Sequence, residues 1–319
     1  MCYSAQVVAD YRRYVRDYRS SLSIKDFYDI FYRRLADPKI RIPKAVEAIF
    51  EGAVPEDDGG IKALIDKFKA EQAARFEQEI FAQRKRLAGA ERTLASKPTE
   101  KAREDQRIAT DKVGQRLKWL DDLRRHELLD RDARIFPGWY VPLIVWEDGR
   151  RVVKPMRYGC RPAGKPAWYD RKFPGTYNAR RDNLEGFWKG LFGHSHGILI
   201  VNAFFENVDR HRAEGRELRP GEKPENKILE FRPRPAQDML VACLWSRWTG
   251  PEEPELLSCA AITDDPPAEV AAAGHDRCII PIKPEHVDRW LQPDARNLQG
   301  LYEILDDRAR PYYEHRLAA

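Results

Sequence analysis

Gly197-Ile198-Leu199-Ile200-Val201-Asn202-Ala203-Phe204-Phe205 is a nine-residue run with one polar side chain. A half-buried strand alternates apolar and polar residues. A run that is apolar at nearly every position reads as a strand buried on both faces. Four more short runs surround it in the chain. Tyr140-Val141-Pro142-Leu143-Ile144-Val145-Trp146 leads into the turn residues Glu147-Asp148-Gly149. Met239-Leu240-Val241-Ala242-Cys243-Leu244-Trp245, residues 256–262 and Cys278-Ile279-Ile280-Pro281-Ile282 complete the set. Short apolar runs punctuated by turn residues predict a β-rich core over residues 135–290.

Residues 61–134 have a different pattern. Ile61, Leu64, Ile65, Phe68, Ala73, Phe76, Ile80 and Leu87 step mostly by threes and fours. Ser96-Lys97-Pro98 interrupts them, and Val113, Leu117, Leu120 and Leu123 resume the stripe. This predicts two long antiparallel helices joined near Pro98. A helix of about 35 residues would span roughly 50 Å. Such an insert is either an arm that grips DNA or a partner, or a hairpin whose charges face water. Before it, residues 4–19 read as helical, with Val7, Val8, Tyr11 and Tyr14 at helical spacing. Residues 25–36 place Phe27, Ile30, Phe31 and Leu35 on one helical face, and Glu56-Asp57-Asp58-Gly59-Gly60 is a polar break. After Trp290 a short helix and an extended end are expected. The predicted fold class is α+β: one domain over 1–319, with an antiparallel, barrel-like β-rich core, an inserted helical hairpin at 61–134 and a tail at 291–319.

Composition narrows the function classes. Of 319 residues, 42% are hydrophobic and 34% charged, and the formal net charge is +5. That balance permits a polyanionic partner without demanding one. Residues 61–134 hold 19 Lys+Arg and 14 Asp+Glu, so the rest of the chain holds 37 of each. The whole excess sits on the hairpin. A DNA-binding face on the core must come from local clusters such as Arg180-Arg181. No apolar run approaches membrane-spanning length. Residues 1–20 lack the apolar stretch of a secretory signal. Five cysteines with no CxxC pair argue against a disulfide framework and a structural zinc site. A reducing, cytoplasmic setting, no metal and no cofactor are expected.

Four places carry residues suited to chemistry. Cys2 becomes the N-terminus if Met1 is removed. Its α-amine, with a reference pKa of about 7.7 to 8.0, is partly neutral at physiological pH, whereas a lysine amine is almost wholly protonated. The amine attacks aldehydes, and the neighbouring thiol closes a five-membered thiazolidine. Asn178 and the guanidiniums of Arg180 and Arg181 follow Gly175 in a polar loop, suited to orienting an amine or a phosphate. Glu206 ends an apolar run, where partial desolvation favours proton transfer. His275 precedes Asp276 and Arg277 at a loop-to-strand boundary and is placed for acid–base work. Each also has a bland reading: an incidental second residue, a surface loop, a solvated strand end, a capping histidine. His194 and His196, at HxH spacing without further ligands, read as surface residues.

Taken together, these segments resemble the SOS response-associated peptidase (SRAP) family, whose members shield abasic sites in single-stranded DNA. The resemblance runs through Met1-Cys2, Phe136-Pro137-Gly138, Val141-Pro142-Leu143-Ile144-Val145 and Met156-Arg157-Tyr158-Gly159. It continues through Asn178-Ala179-Arg180, Ala203-Phe204-Phe205-Glu206, Ala242-Cys243-Leu244-Trp245 and His275-Asp276-Arg277. Their joint order is the specific signal, and it covers about half the chain. The resemblance implies a SRAP-type core and a catalytic set of Cys2, Asn178, Glu206 and His275. Cys2 would form a thiazolidine with the ring-opened sugar aldehyde. Asn178 would position the amine, Glu206 would shuttle protons, and His275 would assist ring opening. Arg180, Arg181, Arg157 and Arg277 would bind DNA, with Trp168 and Tyr169 stacking near the lesion. The implied partner is single-stranded DNA with abasic sites, with no membrane, and a protein partner or second copy through the hairpin. The sequence departs from the family where Tyr3-Ser4 replaces the usual Gly-Arg, where Asn207 replaces a Trp, and where Tyr158-Gly159 replaces Trp-Gly. These changes mark a divergent subgroup. Two rival functions stay open: an N-terminal-nucleophile peptidase or amidohydrolase, and a non-catalytic DNA-binding scaffold.

Overall fold

The computed structural model describes residues 4–51 and 59–318. Strands β1 (Ser4–Val7) and β2 (Ser20–Leu22) flank helix α1 (Tyr11–Arg16), and α2 (Ile24–Ala36) and α3 (Lys44–Ala48) follow. The hairpin is α4 (Ile61–Ser96) and α5 (Glu100–Arg124). Then come β3 (Arg134–Ile135), β4 (Tyr140–Glu147), β5 (Arg150–Tyr158), α6 (Tyr169–Lys172), β6 (Asn178–Arg180) and β7 (His196–Asp209). The chain continues through α7 (Arg210–Ala213), β8 (Asn226–Arg234), β9 (Met239–Gly250), β10 (Glu253–Asp264) and α8 (Ala268–Ala272). It ends with β11 (Cys278–Ile279), β12 (Pro281–Ile282), α9 (Val287–Leu291), α10 (Leu298–Asp306) and β13 (Tyr312–Leu317).

The quoted run is the heart of β7, and its pairings explain its composition. β7 pairs with β4 on one edge and β9 on the other, and β4–β5, β5–β10 and β10–β9 close a ring. Both faces of that ring are covered. Ile198, Ile200, Ala242, Leu244, Ala260 and Ile262 pack with α2 and α10 in one apolar cluster. Leu199, Val201, Val241, Cys243, Cys259 and Ala261 lie in a second cluster on the other face. Burial on both faces removes the polar alternation. The barrel-like expectation therefore holds, but the sheet is mixed, not antiparallel. β10 runs parallel to β5 and β6, and β2 runs parallel to β5. Parallel partners need long crossovers: residues 159–252 join β5 to β10, and residues 23–149, which include the hairpin, join β2 to β5.

Residues 4–19 correct the helical expectation. Ser4–Val7 is a strand paired to β7 and β3, and the helix starts only at Tyr11. The Asp10 side chain caps it by accepting from the backbone N–H of Arg12 and Arg13. The Tyr14 hydroxyl donates to the Val8 carbonyl at 2.6 Å, so the apolar residues at helical spacing join two elements. The end of the chain is helical and then extended, as expected, but β13 pairs along its length with β8.

The hairpin matches its pattern. Thr99 caps α5 by accepting from the Ala102 N–H at 3.2 Å. Phe76 meets Trp119 at 5.6 Å, and Arg86 Nη2 reaches Asp105 Oδ1 at 2.5 Å. Rising numbers on α4 meet falling numbers on α5, so the helices are antiparallel. Ala90, Ala102 and Ala109 are buried where they pack. Among the described residues, no helix is long and apolar enough to cross a membrane.

Candidate active site

A single irregularity in β7 aims the site. In β1, Gln6 faces Ala203 but Val7 faces Val201, so Asn202 is an extra residue in β7. An extra residue reverses the alternation beyond it. Before it, Leu199 and Val201 lie in the second apolar cluster; after it, Phe204 and Val208 do. Glu206 shares their parity. The bulge thus turns Glu206 into the interior, where it is 0% exposed.

His275 meets it there. Its Nε2 lies 3.1 Å from Glu206 Oε2, and its Nδ1 lies 2.9 Å from the Arg277 carbonyl oxygen. Nδ1–H donating to that carbonyl leaves Nε2 facing the carboxyl group. Burial pushes the His275 pKa below its ordinary value. Gly274, at φ +92, makes the turn that brings His275 in, and a Cβ there would meet Arg212 Cβ at 2.8 Å.

Asn178 stands in β6 opposite Ala261, a member of the second cluster, so it shares that face with Glu206. It is 7% exposed, and both its amide atoms are buried without a hydrogen-bond partner among the described residues. The loops around these residues converge electrostatically. Arg180 experiences the charges of Asp276 and Asp265, and Asp182 that of Arg277. Ser4 pairs with Phe205, next to Glu206, so the start of β1 reaches the same neighbourhood. Cys2 lies outside the described residues.

The candidate DNA residues sit differently. Arg180 is exposed, and its Nε donates to Asp182 Oδ1 at 3.0 Å. Arg181 reaches Asp264 at 3.1 Å and Asp306 at 2.5 Å. Arg157 reaches Asp170 at 2.7 Å. Much of the local positive charge is thus already matched by carboxylates. Arg277 is engaged through its backbone with His275. Trp168 is 48% exposed with Lys172 Nζ 5.6 Å from its ring centre, while Tyr169 packs on Phe173 at 4.6 Å.

Sequence reasoning missed two features. Arg134 donates to Ser4 Oγ from Nε and Nη2, at 3.2 and 3.1 Å. Its guanidinium also lies 3.9 Å from the Phe205 ring centre, so it braces the entry of β1 beside Glu206. Only its place just before Phe136-Pro137-Gly138 hinted at this. His196 is the second, and it corrects the surface reading. It is 1% exposed; Nδ1–H donates to the Trp290 carbonyl at 3.1 Å, and Nε2 accepts from the Gly193 N–H at 2.9 Å. Burial lowers its pKa to about 3. His194 is exposed. Among the described residues, no three His, Cys, Asp or Glu side chains group as a metal site.

A model of the family described as SOS response associated peptidase (SRAP) matches residues 95–317, well over half the chain. No curated protein matches. Among solved structures, the chain is similar to a protein from Bordetella bronchiseptica at 16% identity and TM-score 0.46, covering 61% of this chain and 90% of that one. A protein from Bacteroides thetaiotaomicron is similar at 14% identity and TM-score 0.46, covering 60% and 80%. A phage-related protein from Bordetella bronchiseptica is similar at 20% identity and TM-score 0.42, covering 58% and 81%.

Proposed function

This chain belongs to the SOS response associated peptidase family, and on that premise we propose that it captures abasic sites in single-stranded DNA through Cys2 after removal of Met1. The observation that carries the reading is the buried His275–Glu206 pair, 3.1 Å apart, on the face that also holds Asn178. Cys2 is two residues before Ser4, and two residues of chain reach about 7 Å. Ser4 in turn pairs beside Glu206.

The chemistry balances without a cofactor. The terminal amine adds to the ring-opened sugar aldehyde and gives a carbinolamine. Loss of one water gives an imine. The Cys2 thiol then adds across the C=N bond, its proton passes to nitrogen, and a thiazolidine closes. The water-losing step needs a proton delivered to a hydroxyl, and ring opening of the sugar needs one moved from hydroxyl to ring oxygen. The His275–Glu206 pair is suited to both, because burial disfavours the charged imidazole, so a proton taken up by Nε2 from the Glu206 carboxyl is readily given back. The Asn178 amide, without a partner among the described residues, is available to hold the amine or the sugar.

The test is a denaturing gel after incubation with single-stranded DNA carrying one abasic site. A slow band is expected, and it should vanish in Cys2→Ala and with an uncleavable N-terminal extension. Persistence of the band in both variants would sink the thiazolidine mechanism. The family's description as a peptidase favours a second reading, in which Cys2 attacks an amide carbonyl. Turnover of a peptide with no DNA band would support that reading instead.

A further inference from the structure

A cavity of about 370 Å³ lies at the foot of the hairpin, far in sequence from the candidate active site. Arg34 of α2 forms part of its wall and is 2% exposed. Its Nη1 donates to Glu47 Oε1 at 2.5 Å, and its guanidinium carbon lies 4.0 Å from the Phe68 ring centre. Nε and Nη2 are buried with no hydrogen-bond partner among the described residues. A desolvated guanidinium with two unmet donors is costly to keep, and native folds rarely leave such donors unmatched.

The carboxylates around the cavity are already engaged. Asp132 accepts from Arg125 at 2.7 and 2.9 Å. Asp122 accepts from Arg125 at 2.9 Å and from Arg131 at 2.7 Å. Glu47 takes both Arg34 and Lys69. Two cations are left over. Lys44 Nζ donates to the backbone carbonyl of Asp122 at 2.6 Å, and Arg41 is exposed at the rim. Neither makes an ion pair among the described residues. Lys44, Arg41, the Arg34 side chain and two aromatic residues, Phe68 and Trp139, line one space of small-ligand size.

We propose that this cavity binds a phosphate group, held by Lys44 and Arg41 beside the buried positive charge of Arg34. Tetrahedral oxyanions match donors that converge from several directions, and guanidinium and ammonium groups are their usual partners. The phosphate is free or carried by a nucleotide, and the volume and aromatic walls leave room for a base. Occupancy ties α2, α3, α4 and α5 together, and so fixes the hairpin on the core. The inference stands apart from the proposed abasic-site chemistry.

The test is calorimetric titration at fixed ionic strength, paired with thermal melting, using the full chain. Inorganic phosphate, AMP and adenosine are the probes, with a single-stranded oligonucleotide with and without a 5′-phosphate. Saturable binding of phosphate and AMP at millimolar concentration or below is expected, with a raised melting temperature, and none for adenosine. Tighter binding of AMP than phosphate marks a nucleotide as the source. Binding of the oligonucleotide only with its 5′-phosphate marks a strand end. Arg41→Gln, at an exposed position, and Lys44→Gln should each weaken binding, and together by about tenfold or more. Lys44→Arg should retain it. Absence of saturable binding by any phosphate probe, or equal affinity in the double variant, overturns the proposal.

Discussion

At the scale of the residue, Asn178 is the most informative side chain. A buried amide without partners contributes little to stability, because a buried polar group is worth keeping only when it is satisfied. Its removal is therefore expected to separate stability from function. Asn178→Ala should melt at or above the wild-type temperature, and its crosslinking to abasic DNA should slow by roughly tenfold or more. Destabilisation by more than about 2 kcal/mol would show instead that the amide is structural. Residue identity was visible in the sequence here, since Asn178, Glu206 and His275 stood out by type and position. Their shared face was not. It depends on the β6–β10 pairing, on the bulge at Asn202 and on the turn at Gly274. Arg134 was invisible for the same reason, because its partners Ser4 and Phe205 are distant in sequence.

At the scale of the element, β7 does two jobs with one irregular strand. Its first half is a wall between two apolar clusters, and its second half delivers Glu206. Deletion of Asn202 removes the extra residue and restores strict alternation. Ala203 then follows Val201 directly, opposite Gln6 and Val7, so Phe204, Glu206 and Val208 keep the face they hold. A retained crosslink band and a stability within about 2 kcal/mol of the wild type are expected, read by the denaturing gel and urea unfolding. A deletion variant that unfolds or gives no band would show that Asn202 is more than an extra residue in the ladder. The elements legible in the sequence were those whose pattern is local. The hairpin followed from its threes and fours and from Ser96-Lys97-Pro98. The central strands followed from unbroken apolar runs. β1 was misread because a four-residue strand and a six-residue helix laid side by side imitate one helical stripe. The parallel pairings of β10 were hidden because no local pattern records which distant strand lies alongside.

At the scale of the molecule, charge and burial together set the response to acid. The basic excess belongs to the segment 61–134, while the rest of the chain is balanced. The core instead carries two imidazoles held neutral by burial: His196, with its pKa lowered to about 3, and His275, lowered as well. In the unfolded chain both would titrate near 6.5. Above that pH neither state binds the proton, and the two histidines leave stability unchanged. Below it the unfolded chain gains protons that the folded chain refuses, so stability falls as pH drops below 6.5, for His196 down toward 3. Each histidine contributes at most about 1.4 kcal/mol per pH unit in that window. Carboxylates held low, such as Glu222 at about 2 through its hydrogen bond with Arg216, add their loss only at lower pH. Urea midpoints at pH 7.5, 6.0 and 5.0 should therefore decline before the carboxylate range is reached. His196→Gln keeps an amide donor for the Trp290 carbonyl and cannot titrate, so its decline should be shallower. A wild-type midpoint that stays level from pH 7.5 to 5.0 would mean that these imidazoles are not held neutral, and the proton placement drawn for the His275–Glu206 pair would fail with it.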